Sequence, residues 1–369
     1  MIGKLQTPAL LLDADKVERN CRRMRDRLEA HGVLLRPHVK TAKNVEVARM
    51  ALGAPTGPIT VSTLSEAEHF IAHGFDDITY AVGVVPVKLD RVVALMRKGA
   101  RMRVIVDSVE AARAVAEVRK EAPLEALIEI DSDGHRAGVR ADEPRLLDIA
   151  RALGAACMGV MTHAGDSYNC GTIDGIRAVA ARERDAVVAA ANALVQAGFN
   201  APVVSVGSTP TATFADSFEG VTEVRVGVYV FNDLVMAGLG VCAVDDIAVS
   251  VVGSVIGHQR EKGWILTDAG WMALSRDRGT QHQKIDQGYG VVCDMTGRPL
   301  DDLIVVDANQ EHGIVARRGG GTLDLDRFPI GTQLRFLPNH ACATAAQHAH
   351  YEVLRDGALV DRWARFGGW

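Results

Sequence analysis

The sequence predicts an α/β chain, with a (β/α)8 barrel over residues 1–241 and a mostly antiparallel β domain over residues 242–369. Three observations lead there. Short β-branched runs alternate with amphipathic stretches through the first two-thirds of the chain. After about Val241 the texture changes to short strands joined by glycine turns, with no long amphipathic helix. Chemistry-bearing residues recur at the carboxyl ends of the β-runs, the face on which barrel enzymes keep their active sites.

The runs that read as barrel strands are Val33–Val39, Ile59–Thr63, Asp77–Ala81, Arg103–Asp107, Ala126–Asp131, Met158–His163, Val203–Gly207 and Glu223–Val230. Between them, Ser65–His73, Val87–Lys98, Val109–Lys120, Pro144–Ala152 and Asp174–Gln196 read as helices rich in Ala, Leu, Glu and Arg. A doubly wound open sheet is the alternative architecture. No G-x-G-x-x-G follows the first strand, which speaks against dinucleotide binding. In the last third, Ile247–Gly257, Trp264–Asp268, Gly290–Cys293, Leu303–Val306 and Gln333–Leu337 read as strands. The opening run Ala9–Leu12 precedes the barrel, so residues 1–12 belong to either domain.

Composition narrows the function classes. The 369 residues are 48% hydrophobic with a net charge of −5, an ordinary soluble balance with room for two domains. No basic stripe points to nucleic acid, and no apolar run is long enough for a bilayer. The first eight residues, Met1 to Pro8, lack the apolar core of a secretory leader. The cysteines Cys21, Cys157, Cys170, Cys242, Cys293 and Cys342 form no C-x-x-C pair. Reduced thiols and a cytoplasmic location are the expectation.

Lys40 closes the run Val33-Leu34-Leu35-Arg36-Pro37-His38-Val39-Lys40. A lysine at the carboxyl end of the first barrel strand can form a Schiff base with an aldehyde cofactor. A solvated strand-end lysine is the plain alternative. The other strand ends carry Thr63, Tyr80, Asp107, Asp131, His163, Ser208 with Thr209, and Arg225 with Tyr229. The run Gly207-Ser208-Thr209-Pro210-Thr211 reads as a phosphate loop, since glycine admits an anion and hydroxyl and backbone donors bind it. Its plain reading is a helix N-cap. Gly227 beside Arg225 and Tyr229 adds a second such loop, and together with Lys40 they suit pyridoxal phosphate. His163 could flank the cofactor ring, and Tyr168 could reach it from the following loop.

In Pro338-Asn339-His340-Ala341-Cys342, an extended backbone would point His340 and Cys342 the same way. Nitrogen plus thiolate suits zinc, with manganese, magnesium and cobalt open. His348 and His350 repeat the spacing and read as a strand face. Glu311 and His312 lie in a polar run that is either a plain loop or part of a domain interface.

These stretches resemble a known family. Arg36-Pro37-His38-Val39-Lys40-Thr41, Glu129-Ile130-Asp131, Thr162-His163-Ala164-Gly165, Gly207-Ser208-Thr209-Pro210-Thr211, Asp268-Ala269-Gly270-Trp271 and His340-Ala341-Cys342 occur in order along the chain. Together they are similar to the fold-type III pyridoxal-phosphate enzymes of D-3-hydroxy amino acids. Within that family the chain looks most like the D-serine and D-threo-3-hydroxyaspartate dehydratases. D-threonine aldolases are more distant, and alanine racemase shares the barrel.

The resemblance implies an alanine racemase-like fold and a homodimer. It implies that Lys40 holds the cofactor and takes the Cα proton. Ser208, Thr209, Gly227 and Tyr229 would contact phosphate, Arg225 the pyridine nitrogen, and His163 the ring. His340 and Cys342 would hold the divalent metal against the substrate's β-hydroxyl, giving a dehydratase that releases a 2-oxo acid and ammonia. Aldolase cleavage to glycine and an aldehyde is the alternative, although the aldolases carry aspartate at the position of Cys342. Racemisation would need a second base, for which Tyr289 is the nearest candidate, in surroundings that do not match. A non-catalytic cofactor carrier is the alternative of another class. Arg136, Arg276, Arg278 and Lys284 are candidates for a second substrate carboxylate.

Overall fold

The computed structural model describes residues 5–134 and 136–369, with Asp301 by its backbone alone. Residues 1–4, part of the segment read for a leader, lie outside the described residues. The chain divides into two compact units, one of residues 21–227 and 367–369, the other of residues 1–20 and 228–366.

The first strand, β1 (Ala9–Asp13), belongs to the second unit. The strands β2 (Leu34–Leu35), β3 (Ile59–Val61), β4 (Asp77–Gly83), β5 (Arg101–Val106), β6 (Glu125–Ile130), β7 (Cys157–Thr162), β8 (Val203–Val206) and β9 (Glu223–Val224) form an eight-stranded sheet in the order β2-β9-β8-β7-β6-β5-β4-β3. All its pairings are parallel. A parallel bridge between His38 and Thr60 joins the ends and closes the barrel.

β2, β3, β8 and β9 are shorter than the β-branched runs that announced them, because each of those runs continues into the loop after its strand. The helices begin where side-chain caps stand. Thr63 accepts from Glu66 N, Ser108 from Ala111 N, and Thr172 from Gly175 N, which satisfies N–H groups that a helix start leaves unpaired.

The remaining strands are β10 (Val249–Gln259), β11 (Trp264–Thr267), β12 (Val291–Cys293), β13 (Pro299–Ala308), β14 (Gly313–Arg317), β15 (Gln333–Leu337), β16 (His350–Arg355) and β17 (Ala358–Ala364). With β1 they form a nine-stranded sheet, ordered β11-β14-β13-β12-β15-β10-β1-β16-β17, and an added β10–β11 pairing curls its first part into a second barrel. Only β1 with β16 pairs parallel.

Two strands, β14 and β17, went unread in the sequence, and β16 was read only at its His350 end. Strand β17 is an exposed edge strand whose faces carry no clear apolar alternation. The division between units falls at Gly227, upstream of the change of texture at Val241. The segment after it is built of the short helical turns Val228–Val230 and Leu234–Gly238, and its backbone binds Pro338 O and Asn339 O. Among the described residues no helix is long and apolar enough to cross a membrane.

Candidate active site

The strand order sets neighbours β7, β8, β9 and β2 side by side. Their carboxyl ends therefore bring His163, Gly207 with Ser208 and Thr209, Arg225 with Gly227, and Lys40 to one arc of the barrel rim. Lys40 lies in the turn that follows β2 and is exposed. The neighbouring Lys43 is committed to Glu66 at 3.1 Å, whereas among the described residues no carboxylate reaches Lys40.

Arg225 is buried beneath this arc. Its Nε donates to Ser205 Oγ at 2.7 Å, and its second amine donates to the Thr162 carbonyl. Ser205 in turn donates to Glu223 Oε1 at 2.8 Å. Glu223 also accepts from Arg36 Nε at 2.8 Å, and Arg36 bonds Asp77 at 2.8 Å. Arg103 stands 3.8 Å from the same carboxylate. A chain of charged groups thus runs through an interior that barrels usually fill with branched apolar side chains. Burial lowers the Arg225 pKa, against the pull of Glu223, Glu183 and Glu129. Burial works against ionisation of Glu223 too, but Arg36 and Arg103 outweigh it and hold its pKa low.

His163 donates from Nδ1 to the Gly207 carbonyl, so its Nε2 is the free acceptor. Burial, with Lys40, Arg225 and Arg136 nearby, lowers its pKa to about 4 despite that bond. The imidazole is neutral at physiological pH. Tyr168 stands 6.3 Å away, ring centre to ring centre.

Ser208 is the N-cap of the helix Thr209–Phe214 and accepts from Thr211 N at 3.2 Å. Its Oγ also meets Ser167 Oγ and Thr211 Oγ1, each at 2.9 Å. The plain N-cap reading of this loop is therefore realised, and it orders the loop. Gly207 is required, because a Cβ there would stand 1.9 Å from the Arg225 carbonyl oxygen. Tyr229 falls in the second unit, in the turn Val228–Val230.

Elsewhere on the rim the strand-end residues hold structure. Asp131 accepts from Gly134 N at 2.6 Å, Thr63 caps its helix, and Tyr80 accepts from Lys88 Nζ at 2.8 Å. Asp107 follows β5 on the same rim.

In the second unit, His340 and Cys342 do not lie on a strand. His340 is the N-cap of the short helix Ala341–Ala345, and Cys342 sits in its first turn. The expected extended geometry is thereby corrected: the alanine-rich segment after His340 coils, and a buried carboxylate caps it. That carboxylate is Asp233, which accepts from Ala341 N at 3.0 Å and from Met236 N at 2.9 Å.

His340 Nδ1 pairs with Asp277 Oδ2 at 2.6 Å. Burial opposes the His340 charge, but Asp277, Cys342 and Asp233 raise its pKa to about 11. Asn339 anchors the loop that carries Asp277. It accepts from Thr280 Oγ1 at 2.9 Å and donates to Gly288 O at 2.6 Å. Among the described residues no three histidine, cysteine or carboxylate side chains gather to hold a metal, so His340 and Cys342 remain a pair.

His348 and His350 do not share a strand face. His348 precedes β16 and bonds Ala273 O at 3.0 Å, while His350 pairs with Glu352 at 3.4 Å. Glu311 and His312 are exposed in the turn between β13 and β14. Of the candidate cations, Arg136 pairs with Glu129 at 3.4 Å, Arg276 lies over the Trp271 ring, and Arg278 pairs with Asp286 at 2.5 Å. Lys284 is exposed. Tyr289 lies under Arg278. Glu183, Asp277 and Asn339 went unread because their partners are distant in the chain.

Comparison with known proteins follows the same division. The alanine racemase N-terminal domain family matches residues 12–234, and a serine dehydratase domain family matches residues 248–354. The chain is 54% identical to D-threo-3-hydroxyaspartate dehydratase from Delftia sp. (strain HT23), over 99% of this chain and 98% of that one. A 3-hydroxy-D-aspartate aldolase from Paracoccus denitrificans is 29% identical, over 98% of this chain and 92% of its own. The solved structure of the Delftia dehydratase superposes with a TM-score of 0.96 at 53% identity, covering 99% of each chain. A histidine-to-alanine mutant of a D-threo-3-hydroxyaspartate dehydratase, and a cysteine-to-alanine mutant in the metal-free form, each superpose with a TM-score of 0.97. With rim, folds and both domain matches in agreement along its length, the chain belongs to the fold-type III pyridoxal-phosphate family of the D-serine and D-threo-3-hydroxyaspartate dehydratases and the D-threonine aldolases.

Proposed function

We propose that this chain is a pyridoxal-phosphate-dependent lyase. It eliminates water from a D-3-hydroxy amino acid, D-threo-3-hydroxyaspartate ahead of D-serine, and releases ammonia and a 2-oxo acid with the help of a divalent metal. The observation that carries the reading is Lys40 beside Arg225, Gly207 and Gly227 on one arc of the rim, in a chain 54% identical throughout to a dehydratase of that substrate.

The residues fit the cofactor. Thr209 Oγ1 and His38 Nδ1 are buried without a hydrogen-bond partner among the described residues. Such atoms are costly in an interior, and a polar ligand bound at this rim would satisfy them. Ser208, Thr209, Gly227 and Tyr229 would hold the phosphate, Gly207 would give the backbone close approach, and His163 and Tyr168 would flank the ring. When bound, the cofactor withdraws electrons from the substrate's Cα–H bond.

Lys40 then acts as the base, with Nζ taking the Cα proton. Arg225 carries only donors, so a pyridine nitrogen held against it would stay unprotonated. His163, held neutral by burial, adds no charge beside the ring. His340 and Cys342 would hold the divalent ion, which supplies a Lewis acid for the β-hydroxyl. A nitrogen–sulfur pair leaves coordination positions open for substrate. The two mutant dehydratase structures support this pair, because the histidine and cysteine altered there also stand two residues apart. Assembly as a homodimer belongs to the same proposal and is read by sedimentation.

The aldolase relative supports cleavage to glycine and an aldehyde as a second reading; Cys342, where the aldolases carry aspartate, favours dehydration. The test supplies D-threo-3-hydroxyaspartate, D-serine and D-threonine to the cofactor- and metal-loaded protein. Oxo acid with ammonia is the expected product. Glycine with an aldehyde would replace the proposal with the aldolase, and no turnover of any of the three would leave the carrier reading.

A further inference from the structure

The long helix Ile173–Gln196 presents a stripe of buried positions at Ile176, Val179, Ala180, Glu183, Val187, Ala190, Ala191 and Leu194. All are apolar except Glu183, which is 2% exposed. A carboxylate in the packing stripe of a helix is costly unless donors meet it, and leucine would satisfy the packing alone.

The donors that meet it come from the two loops described above. Glu183 Oε1 accepts from Ala164 N at 3.2 Å and from Gly207 N at 3.0 Å. Ala164 follows His163 directly, and Gly207 precedes Ser208. The Gly207 carbonyl receives His163 Nδ1, while Thr211, which bonds Ser208, also hydrogen-bonds the Glu183 side chain. One carboxylate thus gathers the backbone at the ends of β7 and β8. The loop peptides are held by Glu183 from below and by the His163 ring from above.

We propose that Glu183 is a positioning residue, which fixes the His163 loop against the Ser208–Thr209 loop and thereby sets how tightly the barrel holds its phosphorylated aldehyde. This rests on the cofactor reading above. Glu183 is buried, and its Oε1 is taken up by the Ala164 and Gly207 N–H groups. Its effect therefore passes through the two backbone N–H groups and the orientation of the His163 ring.

The test compares Glu183→Ala and Glu183→Gln with the wild type by equilibrium titration of the cofactor-free protein with pyridoxal phosphate. The melting temperature of the same cofactor-free proteins is measured alongside. Glu183→Ala should weaken binding about tenfold, the effect of losing roughly one to two loop hydrogen bonds. Glu183→Gln keeps the accepting oxygen and should stay within about threefold of wild type. The His163 side-chain nitrogen resonances of the cofactor-free protein should report a fixed Nδ1–H form in wild type and Glu183→Gln, and its loss in Glu183→Ala. Should Glu183→Ala not fold, Glu183→Asp carries the test. Its shortened carboxylate cannot reach both loops, so the same weakening is expected. An alanine or aspartate variant that melts lower yet binds pyridoxal phosphate as tightly as wild type overturns the role and leaves the cofactor reading standing. A wild type that binds none overturns both.

Discussion

The barrel rim and the His340–Cys342 turn carry the two candidate centres, and they are built on opposite plans. At the rim, Arg225, Ser208, Thr209 and Glu223 are all buried; Arg225 and Glu223 meet through Ser205, and Ser208 is bonded to Ser167 and Thr211. In the second unit the His340 side chain is 43% exposed and is held mainly by Asp277, itself 39% exposed. The difference teaches which group each centre suits. A cradle locked by buried hydrogen bonds matches a large cofactor that stays, because its donors need no rearrangement on binding. A half-open nitrogen–sulfur pair matches an ion that shares its coordination with solvent and substrate.

The comparison breaks first at Lys40. Lys40→Ala should abolish the visible absorbance of bound cofactor and lower turnover by at least about a thousandfold, since no other side chain on the arc can take both tasks. A variant that keeps its absorbance and turns over would sink the assignment of the rim. The next effect tests whether the rim is locked from below. Glu223→Ala takes a buried carboxylate from both arginines, leaving Arg36 only Asp77 and Arg103 only Glu125, and removing one partner of a buried ion pair costs about 3–5 kcal/mol. Urea denaturation measures this directly. A loss under about 1 kcal/mol would mean that the charged interior is solvated rather than locked.

How much of this could be read from the sequence follows from how local each signal is. The placement of Lys40, His163, Ser208 and Arg225 at the rim was legible because a β-run announces its own carboxyl end, and each of these residues stands at or just past it. The barrel was legible for the same reason, repeated strand after strand. Glu183 was not, since its partners Ala164 and Gly207 lie on other elements, and in its own helix it stands at a position whose periodicity calls for an apolar residue. Asp277 was hidden likewise, being 63 residues from His340. The shape of the His340–Cys342 turn failed for another reason. A short segment with no apolar period fits a strand or a helix start equally well, and the buried cap from Asp233 decides it.

A pH profile sharpens the comparison at intermediate size. His163 has a folded pKa of about 4, below the ordinary value of about 6.5, and burial pushes His38 well below it too. In the unfolded chain both rings take a proton as pH falls through about 6.5, while in the folded chain they stay neutral. Their neutral burial therefore costs nothing above that pH, and stability declines as pH falls towards 4. His163 alone should remove about 2 kcal/mol between pH 7 and pH 5. Urea midpoints of the cofactor-free protein at those two values measure the loss, and His163→Gln should make it smaller. An unchanged slope would mean that the rim does not keep its imidazole neutral.

The smallest effect falls on the more open centre and asks how far Asp277 makes up for its exposure. A carboxylate on Nδ1 fixes the ring and the tautomer of a histidine that binds metal through Nε2, and losing such a partner weakens binding by about 10–100-fold. Here the carboxylate is itself half-exposed, so solvent already competes for it and the lower end is expected. Asp277→Asn should weaken manganese binding to the metal-free protein about tenfold, measured by calorimetric titration with the cofactor left in place. Asn339→Ala should act in the same direction, because Asn339 anchors the loop that holds Asp277 through Thr280 and Gly288. If Asp277→Asn binds manganese as wild type does, the ring needs no help from its neighbour. The pair would then be set by the Asp233-capped helix alone, and the second centre would be as firmly built by its backbone as the rim is by its side chains.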